Sequence, residues 1–149
     1  MEEKVKSKKK IIGDAEYVCL PEFGIREISA RIDTGAKTSS LHAENIKYFV
    51  KNGKDFVRFD IIAKNRKGVL LSRTVETELH MKRRIKTHFD TGRHRPFIIT
   101  KLKFGDKIFK AVVNLTNRKN MKYKLLIGRE VLNKRFLVDV SKSYTLLLK

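Results

Sequence analysis

The sequence predicts an all-β domain, a small closed barrel or a sandwich. Apolar residues recur mostly at every second position, the period of a half-buried strand. Gly, Asn and Asp punctuate the runs, as turns between short strands require. Helical patterning is scarce, which leaves strands to build the core.

Taken in order, Ile28, Ala30 and Ile32 alternate with Glu27, Ser29 and Arg31 and lead into Asp33. Val57, Phe59 and Ile61 alternate with Phe56, Arg58, Asp60 and Ile62, and Val75, Thr77 and Leu79 form a weaker run. The stretches 97–104 and 107–115 flank Gly105–Asp106, a hairpin signal. Apolar runs at 124–127, 136–140 and 144–148 complete the strands. The helical candidates are Arg129 to Lys134, just after Gly128, and the turn-like Ser39 to Glu44.

A chain of 149 residues suits one domain, and 41% hydrophobic residues are enough for a core. Residues 1–10 read as a basic flexible tail with five lysines, and residues 11–149 as a single domain. That start has no apolar stretch of a signal peptide, and 34% charged residues leave no membrane span. Cys19 is the sole cysteine, which excludes an internal disulfide framework and fits a reducing, cytoplasmic setting. With 35 Lys+Arg against 16 Asp+Glu the formal charge is +19. Such a field attracts nucleic acid, ribosomes, anionic lipid or acidic peptides, or simply belongs to a solvated surface.

The most informative stretch is 30–43, ARIDTGAKTSSLHA. An apolar strand ends in Asp33, Thr34 can hydrogen-bond across a tight interface, and Gly35 lets the chain turn sharply. Alone, Asp-Thr-Gly is also an ordinary turn. A second element, 125–132, reads LLIGREVL: an apolar strand, a glycine, then a short amphipathic helix. Together the two elements resemble the layout of retroviral-type aspartic proteases, in which the second threads beside the catalytic loop and backs it. More closely, the chain resembles the bacterial retropepsin-like family that carries the older name "ATP-dependent zinc proteases". Members of that family lie near glutamate ligases that modify a ribosomal protein. The matching blocks are Leu20-Pro21-Glu22-Phe23-Gly24-Ile25, residues 30–43, Phe56-Val57-Arg58-Phe59, Asn117-Arg118 with Met121-Lys122-Tyr123, residues 125–132, and Phe136-Leu137-Val138-Asp139.

The resemblance implies a retropepsin-like closed β-barrel with one short C-terminal helix, acting as a homodimer. Asp33 from each copy would form the catalytic pair. Two carboxylates about 3 Å apart cannot both ionise and share a proton. One then activates a water while its protonated partner polarises the scissile carbonyl. Thr34 and Gly35 would brace the loops across the dimer, and Ala36 would lie beside the substrate. Leu126, Ile127, Gly128 and Arg129 would form the backing element. The chain has only one such element and is too short for two lobes, which points independently to a two-fold assembly. The implied substrate is a peptide or protein, acidic or glutamylated.

A second Asp-Thr-Gly, Asp90-Thr91-Gly92, follows a basic stretch rather than an apolar strand, and is read as a hairpin turn. Around it, Lys82, Arg83, Arg84, Lys86, His88, Arg93, His94 and Arg95 make a basic segment. As a hairpin over the site it would be a cationic flap favouring acidic substrates; it could equally contact RNA phosphates or be a solvated hairpin. Arg83, Arg84, Arg93 and Arg95 are therefore candidate substrate-binding residues; His42, which follows the first Asp-Thr-Gly as in the family it resembles, is a further candidate, with either a structural or a substrate-facing role implied. No H-E-x-x-H helix and no G-x-x-x-x-G-K-[ST] phosphate loop occurs, so neither a metal nor a nucleotide cofactor is expected. Two other readings stay open: a non-catalytic module of the same fold that binds RNA or the ribosome through its basic surface, and a metalloprotease.

Overall fold

The period-two pattern around residue 30 forms a strand whose Ile28, Ala30 and Ile32 are buried while Arg31 faces solvent. This computed structural model describes residues 9–84 and 94–146, without the side chains of Arg83 and Arg84. Its strands are β1 (Lys10–Ile12), β2 (Ala15–Leu20), β3 (Ile25–Ile32), β4 (Ser39–His42), β5 (Glu44–Lys51) and β6 (Lys54–Lys64). They continue as β7 (Leu70–Glu78), β8 (Met81–Arg84), β9 (His94–Phe104), β10 (Lys107–Thr116), β11 (Leu125–Ile127) and β12 (Phe136–Val138). A 3₁₀ turn at Pro21–Phe23 links β2 to β3, and one short helix, α1 (Arg129–Leu132), follows β11.

The fold is all-β and the barrel is closed. Six strands run in the order β10-β4-β11-β3-β2-β9, and the antiparallel β9–β10 hairpin completes the ring. β11 is short but central: it lies parallel to β3 and antiparallel to β4, with Leu126 opposite both Arg31 and Ser40. β4 in turn lies parallel to β10. Closure leaves no free edge on these strands, the usual hazard of open sheets. β5, β6 and β7 form a separate antiparallel sheet. Val57, Phe59 and Ile61 of β6 are fully buried in the same core as Ile28, Ala30 and Leu125. Phe23 meets the Phe59 ring edge-on, with centroids 6.0 Å apart. Each such large apolar side chain contributes about 1.5–3 kcal/mol on burial, so this extra sheet is part of the domain's core.

The β9–β10 hairpin turns at Gly105, whose φ of +61° suits glycine. β8 pairs with β9 from Met81↔Phe97 to Arg84↔His94, the stem of the hairpin expected from the basic segment. Asp90-Thr91-Gly92, His88 and Arg93 lie outside the described residues.

Several expectations change. Ser39 to Glu44 is not helical: residues 39–42 form β4 and are buried, because pairing with both β10 and β11 outweighs the local turn signal. Helix α1 ends at Leu132 rather than Lys134, and Lys134 takes φ +67°. The run at 144–148 forms no strand in its described part; Tyr144 has φ +53°, stacks on Tyr17 with centroids 4.5 Å apart, and its hydroxyl shares a 2.7 Å hydrogen bond with Ser29 Oγ. Lys10, assigned to the tail, is the first residue of β1 and pairs with Phe136. Strand β5, whose apolar residues are weakly alternating and half-exposed, had no clear signal in the sequence.

Candidate active site

Asp33 stands where β3 ends. Its N–H donates to the carbonyl of Ile127 at 2.9 Å, extending the β3–β11 ladder by one rung. Its carboxylate Oδ1 accepts the Gly35 N–H at 2.9 Å, and Ala36 N–H reaches the Asp33 carbonyl at 3.3 Å. The strand thus holds the Asp33 backbone and the turn its carboxylate, while the residue stays partly open to solvent.

The backing element grips the loop from behind. Arg129 N–H donates to Ala36 O at 2.7 Å and Glu130 N–H to Lys37 O at 3.0 Å. The Arg129 guanidinium donates through Nη1 to the carbonyls of Thr34 (3.3 Å) and Gly35 (2.9 Å). Gly128 N–H donates to the buried Ser39 Oγ at 3.0 Å. Gly128 is required by space, since its φ of −98° is open to any residue. Leu126 and Ile127 lie in β11, Gly128 and Arg129 follow it, and Thr34, Gly35 and Ala36 lie on the loop that Gly128 and Arg129 contact.

A buried polar layer flanks this loop. Asn114 of β10 is fully buried and donates to Ser39 O (3.0 Å) and Thr38 Oγ1 (3.3 Å). Its Oδ1 accepts from Ser40 Oγ (2.8 Å) and from Arg95 Nη1 (3.3 Å). His42 is 1% exposed, with both ring nitrogens bonded to protein: Nδ1 accepts the Arg118 N–H at 2.8 Å, and Nε2 lies 2.8 Å from Glu44 Oε2. It is a buried anchor, and the expectation of a substrate-facing His42 is corrected accordingly. Arg118 also donates through Nε to Tyr123 O at 3.0 Å. Burial lowers its affinity for a proton below the ordinary value, the Arg95 charge adds to this, Asp33 opposes it, and Arg31 adds a smaller push. The charges of Arg95, Asp33 and Arg31 thus all act on Arg118.

Of the cationic candidates, Arg95 is joined to this layer. Arg83 and Arg84 are placed by their backbone in β8, opposite Arg95 and His94. Arg31, Asn114 and Arg118 were missed as site residues. Arg31 was legible, since the period-two rule puts it on the face of Asp33. Asn114 and Arg118 needed the fold, because β10 reaches Asp33 only through β4 and β11. Among the described residues no group of three or more His, Cys, Asp or Glu could hold a metal, and no helix is long and apolar enough to cross a membrane.

The geometry agrees with the family comparison. Residues 11–147 match the model of the RimB-like family, described as retropepsin-like aspartic endopeptidase RimB. The chain belongs to this family. The crystal structure of Legionella pneumophila Lpg0085, a protein of unknown function, superposes with a TM-score of 0.77 at 33% identity, covering 94% of this chain and 100% of that one. A protein of Shewanella pealeana named "Probable alpha-L-glutamate ligase" is 36% identical over 138 residues, 91% of this chain. One of Desulfotalea psychrophila with the same name is 38% identical over 133 residues, 88% of this chain. The RimB-like chain spans 30% and 28% of the lengths of these two ligases.

Proposed function

We propose that this protein is an aspartic endopeptidase that works as a homodimer through paired Asp33 carboxylates and cleaves acidic or glutamylated peptides or proteins. The observation that carries the reading is the doubly anchored Asp33: its backbone is tied to Ile127 and its carboxylate to Gly35. A carboxylate held this way, meeting its symmetry mate, can share a proton and bind a water between them. The water oxygen bonds to the carbonyl carbon as its proton passes to the unprotonated carboxylate. The C–N bond of the tetrahedral intermediate then breaks as a proton reaches the amine nitrogen.

The second copy is supported by an apolar surface beside the loop. Ile11, Leu137 and Val140 are 51, 52 and 78% exposed on and next to the β1–β12 ribbon. A groove joins Leu137 and Val138 to Thr34 and Arg129. The acidic substrate is supported by Arg118, on which the Asp33 carboxylate acts together with the Arg95 and Arg31 charges, and by relatives named probable glutamate ligases that contain a stretch like this chain.

Peptides with oligoglutamate tails, incubated with wild type and Asp33→Asn at acidic to neutral pH with and without chelator, test this reading. Cleavage that is lost in Asp33→Asn and indifferent to chelator is expected. Chelator-sensitive cleavage that survives Asp33→Asn would return the metalloprotease reading. Absence of cleavage together with tight, steeply salt-dependent RNA binding would favour the non-catalytic module, for which the +19 charge is the supporting observation.

A further inference from the structure

We propose that His42 is the positioning residue for Arg118, and that Arg118 is the specificity residue that takes a carboxylate of the substrate beside Asp33. The inference rests on the peptidase reading for its substrate and on separate observations for its residues.

His42 closes β4 opposite Thr116, the last residue of β10, and Arg118 lies two residues further on. The backbone N–H of Arg118 points at His42 Nδ1. A ring nitrogen that accepts a hydrogen bond carries no proton, so Nε2 carries it and donates to Glu44 Oε2. Glu44 thereby selects the tautomer that leaves Nδ1 free to accept, as a carboxylate does for many functional imidazoles. A donor at Nδ1 would face the Arg118 N–H, so the geometry requires an acceptor there.

The rest of the 117–124 loop is as firmly built. Lys124 Nζ donates to the carbonyls of Met121 (2.7 Å) and Lys119 (2.9 Å) and approaches that of Arg118 (3.4 Å). Asn117 Oδ1 accepts the Lys119 N–H at 2.8 Å. Arg118 Nε is spent on Tyr123 O, while Nη1 and Nη2 make no hydrogen bond among the described residues. A half-buried guanidinium with its stem tied down and its fork open is arranged to receive a planar anion in two parallel hydrogen bonds. The Arg95 and Arg31 charges disfavour the Arg118 cation and the Asp33 carboxylate favours it. A substrate carboxylate offers the open Arg118 fork a charged acceptor, whereas a neutral amide of the same shape does not.

The test compares two peptides that differ only in Glu against Gln at the residues flanking the cut, with wild type, Arg118→Gln, His42→Gln, His42→Asn and the His42→Gln/Arg118→Gln double variant. Cleavage gives KM and kcat, and peptide binding to wild type and to each change made in Asp33→Asn protein gives Kd without turnover. Circular dichroism and thermal unfolding establish that each variant is folded. Arg118→Gln is expected to raise KM and Kd for the Glu peptide about tenfold, as loss of a charge-assisted hydrogen bond does, with kcat and the Gln peptide unchanged. His42→Gln moves the acceptor away from the Nδ1 position and is expected to follow Arg118→Gln. His42→Asn keeps an acceptor there and is expected to stay within about twofold of wild type. The double variant is expected to match Arg118→Gln alone, since both changes remove the same contact.

Equal losses for both peptides in His42→Gln, or a double variant markedly worse than Arg118→Gln, would reduce His42 to a structural role and overturn the proposal. So would an Arg118→Gln protein that still prefers the Glu peptide, or a wild type that binds neither peptide. Turnover surviving in Asp33→Asn would instead remove the paired-carboxylate reading and leave the His42–Arg118 comparison intact.

Discussion

The Cβ that Gly128 lacks would stand 2.6 Å from the carbonyl oxygen of Thr38 and 2.9 Å from that of Ala36. Real Cβ atoms do not approach backbone so closely, and both oxygens belong to the segment that follows Asp33. The backing element can lie against the Asp33 loop only because this residue has no side chain. Gly128→Ala is therefore expected to destabilise the fold by about 2–3 kcal/mol, as overpacking does. Urea unfolding should show a lower midpoint, and cleavage should fall further than the unfolded fraction explains, because the loop that carries Asp33 has been pushed.

Asn114 is the knot between β10, β4 and the basic side of the site. Asn114→Leu would remove the Asn114 hydrogen bonds to the Ser39 carbonyl and the Ser40 hydroxyl and the one that Arg95 donates to Asn114. Each buried group left unpaired costs about 1–3 kcal/mol. A fall in unfolding midpoint is expected together with a weaker preference for acidic peptides. A variant with full stability and unchanged selectivity would contradict the network.

Glu16 is fully buried on β2 and accepts from Gly13 N–H (2.6 Å), Thr145 Oγ1 (2.7 Å) and Leu146 N–H (2.9 Å). Three donors converge on one carboxylate and tie residues 145 and 146 to the barrel. Glu16→Gln turns an NH₂ toward donors and is expected to cost about 2–3 kcal/mol. Hydrogen exchange should speed up first at Leu146, whose N–H loses its acceptor.

The pH dependence of stability can be placed on β6. Hydrogen bonds from Asn45 and Thr74 hold the Asp60 carboxyl below its ordinary value. A folded carboxyl that titrates below the unfolded one stabilises the protein above the unfolded value, about pH 4. That contribution disappears as pH falls through the depressed folded value. The stability gap between wild type and Asn45→Ala/Thr74→Val is expected to be constant near neutrality and to close on acidification. Chemical unfolding at several pH values measures it, and a gap that widens in acid would reverse the assignment.

Much of this protein was determined by local sequence. The alternation at 28–32 and 57–61 decided which face of each strand is buried, because side chains on a strand must alternate. Asp33 at the end of an apolar strand, with Gly35 behind it, marked the loop, and the Leu125–Ile127 strand with Gly128 marked its support. The tertiary structure decided what lies around that loop. Pairing with β10 and β11 made β4 a buried strand despite its turn-like residues, and that burial took His42 out of reach of a substrate. Parallel pairing of β4 with β10 set Asn114 against Thr38 and Ser39 of the segment that follows Asp33 and, beyond the strand's end, the Arg118 N–H against His42. Such contacts join residues some 75 positions apart, Ser40 to Asn114 and His42 to Arg118. No local pattern encodes them, because hydrogen-bond partners across a closed barrel are set by strand order and register rather than by the neighbours of either residue.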